Sequence, residues 1–252
     1  MNNLNFLQEN DTMGNVSKDE QKKLAAKTAI DTLIEENAIF SGMKIGLGTG
    51  STAMPAVTRL SERIKDGTLH DIKAVATSFQ TTLACETLGI PVFTLNDSVI
   101  AGQLDLAIDG ADEVAPEKTL IKGGGAALLL EKIIAYNSKR FVIVADESKA
   151  VKNHGTGFAL PVEIIPTARV AICKALNALG ATPILREGLR KAGPVITDNG
   201  NMILDCKWES PVNATEMEYK INSIVGVVEC GFFTKIVPTI FIAHTDGTVE
   251  QK

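Results

Sequence analysis

Between residues 43 and 145, short apolar runs rich in Val, Ile and Ala alternate with longer helical stretches, and this alternation restricts the chain's possible folds more than any other feature. Strands that are apolar along their whole length must be covered on both faces, which is the situation of a parallel sheet in an α/β fold. Strands are predicted at 43–47, 73–77, 92–94, 104–108 and 141–145, with helices at 52–65, 81–88 and 126–136 between them. A further helix is expected before the first strand. Ser17 and Glu20 have the spacing of a capping box, and Leu24, Ala25, Ala29, Leu33 and Ile34 recur at helical intervals.

The pattern changes after about residue 155. A strand at 162–165, a helix at 168–179, strands at 182–186 and 202–206, a helix at 213–224 and a strand at 227–232 follow the order βαββαβ of a split, ferredoxin-like unit. The chain then returns for its expected last strand at 239–243. The predicted class is α/β: a Rossmann-like, mostly parallel sheet with helices on both faces, plus a smaller ferredoxin-like α+β domain. The first would comprise residues 18–154 and 235–252, the second 155–234. Residues 1–17, rich in Asn, Asp, Gln and Ser, are expected to be a disordered tail.

Charge and composition remove several function classes. The 252 residues carry a formal net charge of -5, without the concentrated basic stripe that nucleic-acid binding needs. The four cysteines form no C-x-x-C pair and the three histidines are scattered, so no metal-ligand spacing exists. No apolar run approaches the roughly 18 residues that span a bilayer, and the first residues lack the apolar core of a signal peptide. A cytoplasmic protein with no metal, no cofactor, no nucleic-acid partner and no membrane is expected.

Three loops carry the chemistry, each after a predicted strand, where an open α/β sheet binds its ligands. Gly48-Thr49-Gly50-Ser51-Thr52 runs into a helix whose free amides, with the Thr and Ser hydroxyls, suit a phosphate. It lacks the Gly-Lys-Ser/Thr ending of a nucleotide P-loop, and the bland alternative is a tight strand-to-helix turn. Asp109-Gly110-Ala111-Asp112-Glu113 crowds three carboxylates, which points to proton chemistry, to Mg²⁺, or to an acidic surface turn. Lys122-Gly123-Gly124-Gly125 offers a cation and a backbone able to crowd amides around a developing oxyanion. In the helix that follows, Glu131 has Ala127, Leu128, Ile134 and Ala135 at its i±3 and i±4 positions, an environment that raises a carboxyl pKa toward that of a general base. Lys132 has similar neighbours, so a Glu131–Lys132 pair is the competing reading. A fourth segment, Asp146-Glu147-Ser148-Lys149, brings one more cation to a strand end.

Taken in order, Thr49-Gly50-Ser51-Thr52, Asp109-Gly110-Ala111-Asp112-Glu113, Lys122-Gly123-Gly124-Gly125-Ala126-Ala127, Ser148-Lys149 and Val195-Ile196-Thr197-Asp198-Asn199-Gly200-Asn201 closely resemble ribose-5-phosphate isomerase type A. The resemblance implies interconversion of ribose 5-phosphate and ribulose 5-phosphate through an enediolate, in the non-oxidative pentose phosphate pathway, by a metal-free homodimer or homotetramer. It makes Glu131 the catalytic base. It gives Asp109 to ring opening and places Asp112 and Lys122 beside the enediolate. Thr49, Gly50, Ser51, Thr52, Asp109, Gly110, Ala111, Asp112, Lys122, Gly123, Gly124, Gly125 and Lys149 are implied to contact the sugar phosphate, with Lys22 near the phosphate. Leu129 and Leu130 depart from the Thr and Arg that the family often has before the catalytic Glu. Two rival readings stand beside it: an amino-sugar-phosphate deaminase or CoA transferase on the same type of fold, and a sensor that binds a sugar phosphate without converting it.

Overall fold

The computed structural model describes residues 15–252. The expected tail at 1–17 therefore lies outside the described residues except for its last three. Of those, Val16 donates its amide to the Thr245 carbonyl at 2.9 Å, and Ser17 caps the first helix through the reciprocal pair with Glu20.

From the N-terminus the elements are α1 (Lys18–Glu35), β1 (Lys44–Leu47), α2 (Gly50–Lys65), β2 (Lys73–Ala76), α3 (Phe79–Leu88), β3 (Val92–Phe93), β4 (Leu104–Gly110), β5 (Glu113–Val114), β6 (Leu120–Ile121), α4 (Leu128–Tyr136) and β7 (Ser138–Asp146). They continue with β8 (Leu160–Ile164), α5 (Arg169–Ala178), β9 (Thr182–Leu185), β10 (Met202–Lys207), α6 (Ala214–Asn222), β11 (Val227–Cys230), β12 (Phe232–Phe233), β13 (Thr239–Ala243) and β14 (Val249–Gln251).

The main sheet has seven strands in the order β14-β13-β7-β4-β1-β2-β3, all parallel except the β13–β14 pair. The chain thus does not end its sheet at 239–243. Val249–Gln251 turns back as an antiparallel edge strand, which its short, polar sequence does not signal. Apolar side chains of α1 and α2 pack on one face with Ile45, Leu47, Ile108, Val142 and Val144, while Ile134 and Ala135 of α4 pack on the other with Ala107, Phe141, Ile143 and Ile242. Both faces are covered, as the continuous apolar strands require.

A second, antiparallel sheet has the order β11-β8-β10-β9, with α5 and α6 packed against it around Leu160, Val162, Leu204, Ile172 and Ile221. This is the strand order of the split βαββαβ unit. A small third sheet, β12-β6-β5, joins the two parts, and its two-residue strands are too short to show a sequence period.

Candidate active site

The segments singled out in the sequence converge at the C-terminal ends of β1, β4, β6 and β7. There they wall a cleft of about 370 Å³ lined by Thr49–Thr52, Gly110–Asp112, Lys122–Gly125, Glu131 and Lys149. Lys18, Lys22, Asp146 and Ser148 complete the wall. The parallel strands β1, β4 and β7 account for most of this meeting, because they point their C-termini to the same edge, and β6 of the small third sheet adds Lys122 and the glycine loop.

One end of the cleft is suited to an anion. α2 begins at Gly50 with no acidic residue in its first turn and no side-chain cap. Its leading amides are therefore open to a ligand, apart from Gly50 N–H, which donates to Gln80 Oε1 at 3.0 Å. Lys22 Nζ lies 3.3 Å from Ser51 Oγ and 3.1 Å from Asp19 Oδ1. Thr49 lines the cleft, but its hydroxyl turns aside into a cluster with Thr77 Oγ1 (2.6 Å) and Ser78 Oγ (2.7 Å). Of the expected hydroxyl donors, Ser51 and Thr52 remain.

At the other end, three charges share one buried unit. Lys122 Nζ is 2.9 Å from Asp109 Oδ2 and 3.3 Å from Glu131 Oε2, and donates to the Gly110 carbonyl at 2.6 Å. All three side chains are at most 5% exposed. Burial pushes the Glu131 carboxyl up to about 8; Lys122 works against that rise, and the charges of Asp109 and Asp112 add to it. Burial likewise raises Asp109 against the pull of Lys122. Burial opposes the charge on Lys122, but Asp109 and Glu131 outweigh it and hold the amine above the ordinary lysine value.

Asp109 is buried at the end of β4, next to the cleft-lining Gly110 and Lys122. Its Oδ1 accepts from the amides of Gly110 (2.7 Å) and Thr49 (3.2 Å), and its Oδ2 is paired with Lys122 Nζ at 2.9 Å. Packed against Gly48, where an added Cβ would overlap its carboxyl, Asp109 holds Lys122 from below at the floor of the cleft. Asp112 does line the cleft, and its Oδ2 accepts the Gly124 N–H at 2.8 Å. Gly124 admits this approach because a Cβ there would lie 2.6 Å from Asp112 Oδ1. Glu113, third of the crowded carboxylates, turns away to buried His154 (3.0 Å) and the Phe158 amide.

The competing pair of Glu131 with Lys132 does not form. Lys132 is buried on the other side of α4, where it donates to Glu218 Oε1 (2.9 Å), Glu229 Oε1 (2.8 Å) and the Cys230 carbonyl (2.8 Å). The Val195–Asn201 segment is bound up in its own turn: Thr197, Asn199 and Asn201 all donate to one oxygen of buried Glu163. One lining residue, Lys18, escaped the sequence reading; it sits one turn before Lys22 on α1. Asp146 and Ser148, from the fourth segment, are engaged with each other at the end of β7. Among the described residues, no three His, Cys, Asp or Glu side chains converge as metal ligands.

Comparison with known proteins agrees with this arrangement. The sequence model of the family Ribose 5-phosphate isomerase A (phosphoriboisomerase A) matches residues 73–247. The chain is 61% identical to a ribose-5-phosphate isomerase A of Treponema denticola, over 91% of this chain and 97% of the relative. Among solved structures, a ribose 5-phosphate isomerase A from Methanocaldococcus jannaschii superposes with a TM-score of 0.84 at 41% identity, covering 94% of this chain and all of the other. A D-ribose-5-phosphate isomerase in complex with phospho-erythronic acid gives 0.87 at 40% identity, covering 94% and 99%.

Proposed function

The chain belongs to the ribose 5-phosphate isomerase A family, and we propose that it interconverts ribose 5-phosphate and ribulose 5-phosphate in the cleft between α2 and the triple-glycine loop. The observation that carries this reading is a buried carboxylate, Glu131, beside a buried ammonium, Lys122, under a loop of glycine amides.

The phosphate binds at the N-terminus of α2, where the Ser51 and Thr52 amides and hydroxyls, with Lys18, Lys22 and Lys149, supply the donors. Ring opening is assigned to Asp109, at the floor beside Lys122, while Asp112 lines the wall where the enediolate forms. In the open-chain aldehyde, Glu131 takes the proton from C2. The C–H electron pair becomes the C1–C2 double bond, and the carbonyl electrons move onto O1. Lys122 and the Gly125 amide stabilise that charge, each well-placed donor contributing on the order of 3 kcal/mol. Glu131 then returns the proton to C1 while the hydroxyl proton passes from O2 to O1, leaving the ketose. A carboxyl poised near neutrality suits both halves of this exchange.

The relative bound to phospho-erythronic acid supports the assignment, because that four-carbon acid carries a phosphate at one end and a charged, planar group at the other. The proposal also includes a cytoplasmic homodimer or homotetramer working without metal or cofactor. A coupled assay with ribose 5-phosphate, run with and without chelator, tests the activity, and light scattering on the eluted protein tests the assembly. Binding without conversion would favour the sensor, and chelator-sensitive activity restored by Mg²⁺ would overturn the metal-free route.

A further inference from the structure

Arg186 has no part in the chemistry above, yet it touches the loop on which that chemistry depends. It stands just beyond β9, its amide donating to the Ile203 carbonyl (3.0 Å) and its carbonyl accepting from Val195 (2.9 Å). Nε and Nη2 form a two-point fork on the Asp205 carboxylate, with Nε 2.8 Å from Oδ2. Nη1 keeps two hydrogens, and they go to the carbonyls of Gly123 and Gly124, each at 3.0 Å. A planar guanidinium held at two points has little freedom left to swing.

In a trans peptide the C=O and N–H point in opposite directions. Holding the Gly123 carbonyl therefore fixes the Gly124 N–H on the far side, where it donates to Asp112. Holding the Gly124 carbonyl fixes the Gly125 N–H in the same way, and Gly125 lines the cleft. Three successive glycines are expensive to order, so an unclamped loop would sample many directions for these amides.

We propose that Arg186 is a positioning residue: by gripping these two carbonyls it holds the Gly124 amide on Asp112 and aims the Gly125 amide at the site where negative charge develops. The four-stranded unit thereby helps set the rate while contributing no atom to the reaction. This inference rests on the isomerase reading. A simple brace between the two parts of the fold would affect stability, or all ligands alike. An aiming device affects the charged intermediate alone.

The experiment compares the parent chain with R186A and R186K, checking folding by circular dichroism. Misdirecting such donors is expected to lower kcat about 30- to 100-fold while KM moves less than about threefold, because the phosphate end is untouched. Affinity for 4-phospho-erythronate should fall with kcat/KM, while affinity for ribitol 5-phosphate, which has neither carbonyl nor carboxylate, should hold. Added guanidinium should restore part of the R186A activity. The proposal is overturned if kcat in folded variants stays within about threefold of the parent. It is also overturned if both ligands weaken equally, or if both variants collapse. A parent chain that does not isomerise ribose 5-phosphate removes the functional reading and this inference together; a parent that does, with variants that match it, removes this inference alone.

Discussion

Lys122 Nζ lies 3.3 Å from Glu131 Oε2, an oxygen that has no hydrogen-bond partner among the described residues. The ammonium is near enough to favour the carboxylate electrostatically but does not lock it in a hydrogen bond; its directed hydrogen bond goes to the Gly110 carbonyl at 2.6 Å, with Asp109 paired at 2.9 Å. Glu131 is therefore desolvated and free to exchange a proton with a substrate carbon.

Glu131→Gln should remove the base while keeping the shape. General acid–base catalysis contributes about 10²- to 10⁴-fold, so turnover should fall by roughly 10³ or more, while phospho-erythronate still binds within about tenfold of the parent. Steady-state assays and calorimetric titration check both halves; near-parent turnover would take Glu131 out of the mechanism.

The raised pKa of Glu131 gives two opposite pH responses. The base works deprotonated, so kcat/KM should climb as pH rises toward and through about 8. For stability the sign is reversed. The folded value of about 8 lies above the ordinary 4.5, so the folded chain holds a proton that the unfolded chain releases between them. The group's stabilisation is complete below 4.5 and lost as pH rises through about 8. Denaturant midpoints from acid to alkaline pH should show this slope in the parent and a flatter one in Glu131→Gln.

Lys122→Met should cost stability as well as activity. It leaves Asp109 and Glu131 buried without their cation, a situation worth roughly 3–5 kcal/mol when a buried pair is broken. Urea melts should show the loss near neutral pH and a smaller one in acid, where both carboxyls are protonated.

Gly124→Ala should act on geometry alone. The added Cβ meets Asp112 Oδ1 at 2.6 Å, so the carboxylate or the loop must shift. A tenfold or greater loss of kcat with a near-parent melting temperature is expected from such a misplacement; unchanged kinetics would show that the Asp112–Gly124 contact is dispensable.

Lys132→Met tests the opposite side of α4. Glu218 and Glu229 would lose their shared cation, with a destabilisation of roughly 3–5 kcal/mol and a smaller effect on turnover than that of Lys122→Met. Thermal unfolding beside a rate assay separates the two lysines.

Much of the fold was legible because the strands of a covered parallel sheet are apolar along their length, as in Ile143-Val144-Ala145. Val249–Gln251 was not, because an edge strand of three residues carries no such run. Helical spacing could not choose between Glu131 and Lys132, since both are buried; their roles diverge only through Lys122 on one side and Glu218 with Glu229 on the other. Asp109 and Asp112 look alike in sequence, yet a rise of three positions moves one carboxylate from beneath the floor into the wall. Arg186 was out of reach of sequence reasoning because its partners are backbone carbonyls far along the chain, which no residue type announces.

Gly48 and Asp109 stand at the ends of adjacent strands, with the carboxyl of one filling the space that any side chain on the other would need. The two positions are therefore tied in their evolution: while 109 keeps its aspartate, 48 is closed to every residue but glycine. A descendant that released the aspartate would free its neighbour to vary, so a substitution at 48 should appear only where 109 has also changed.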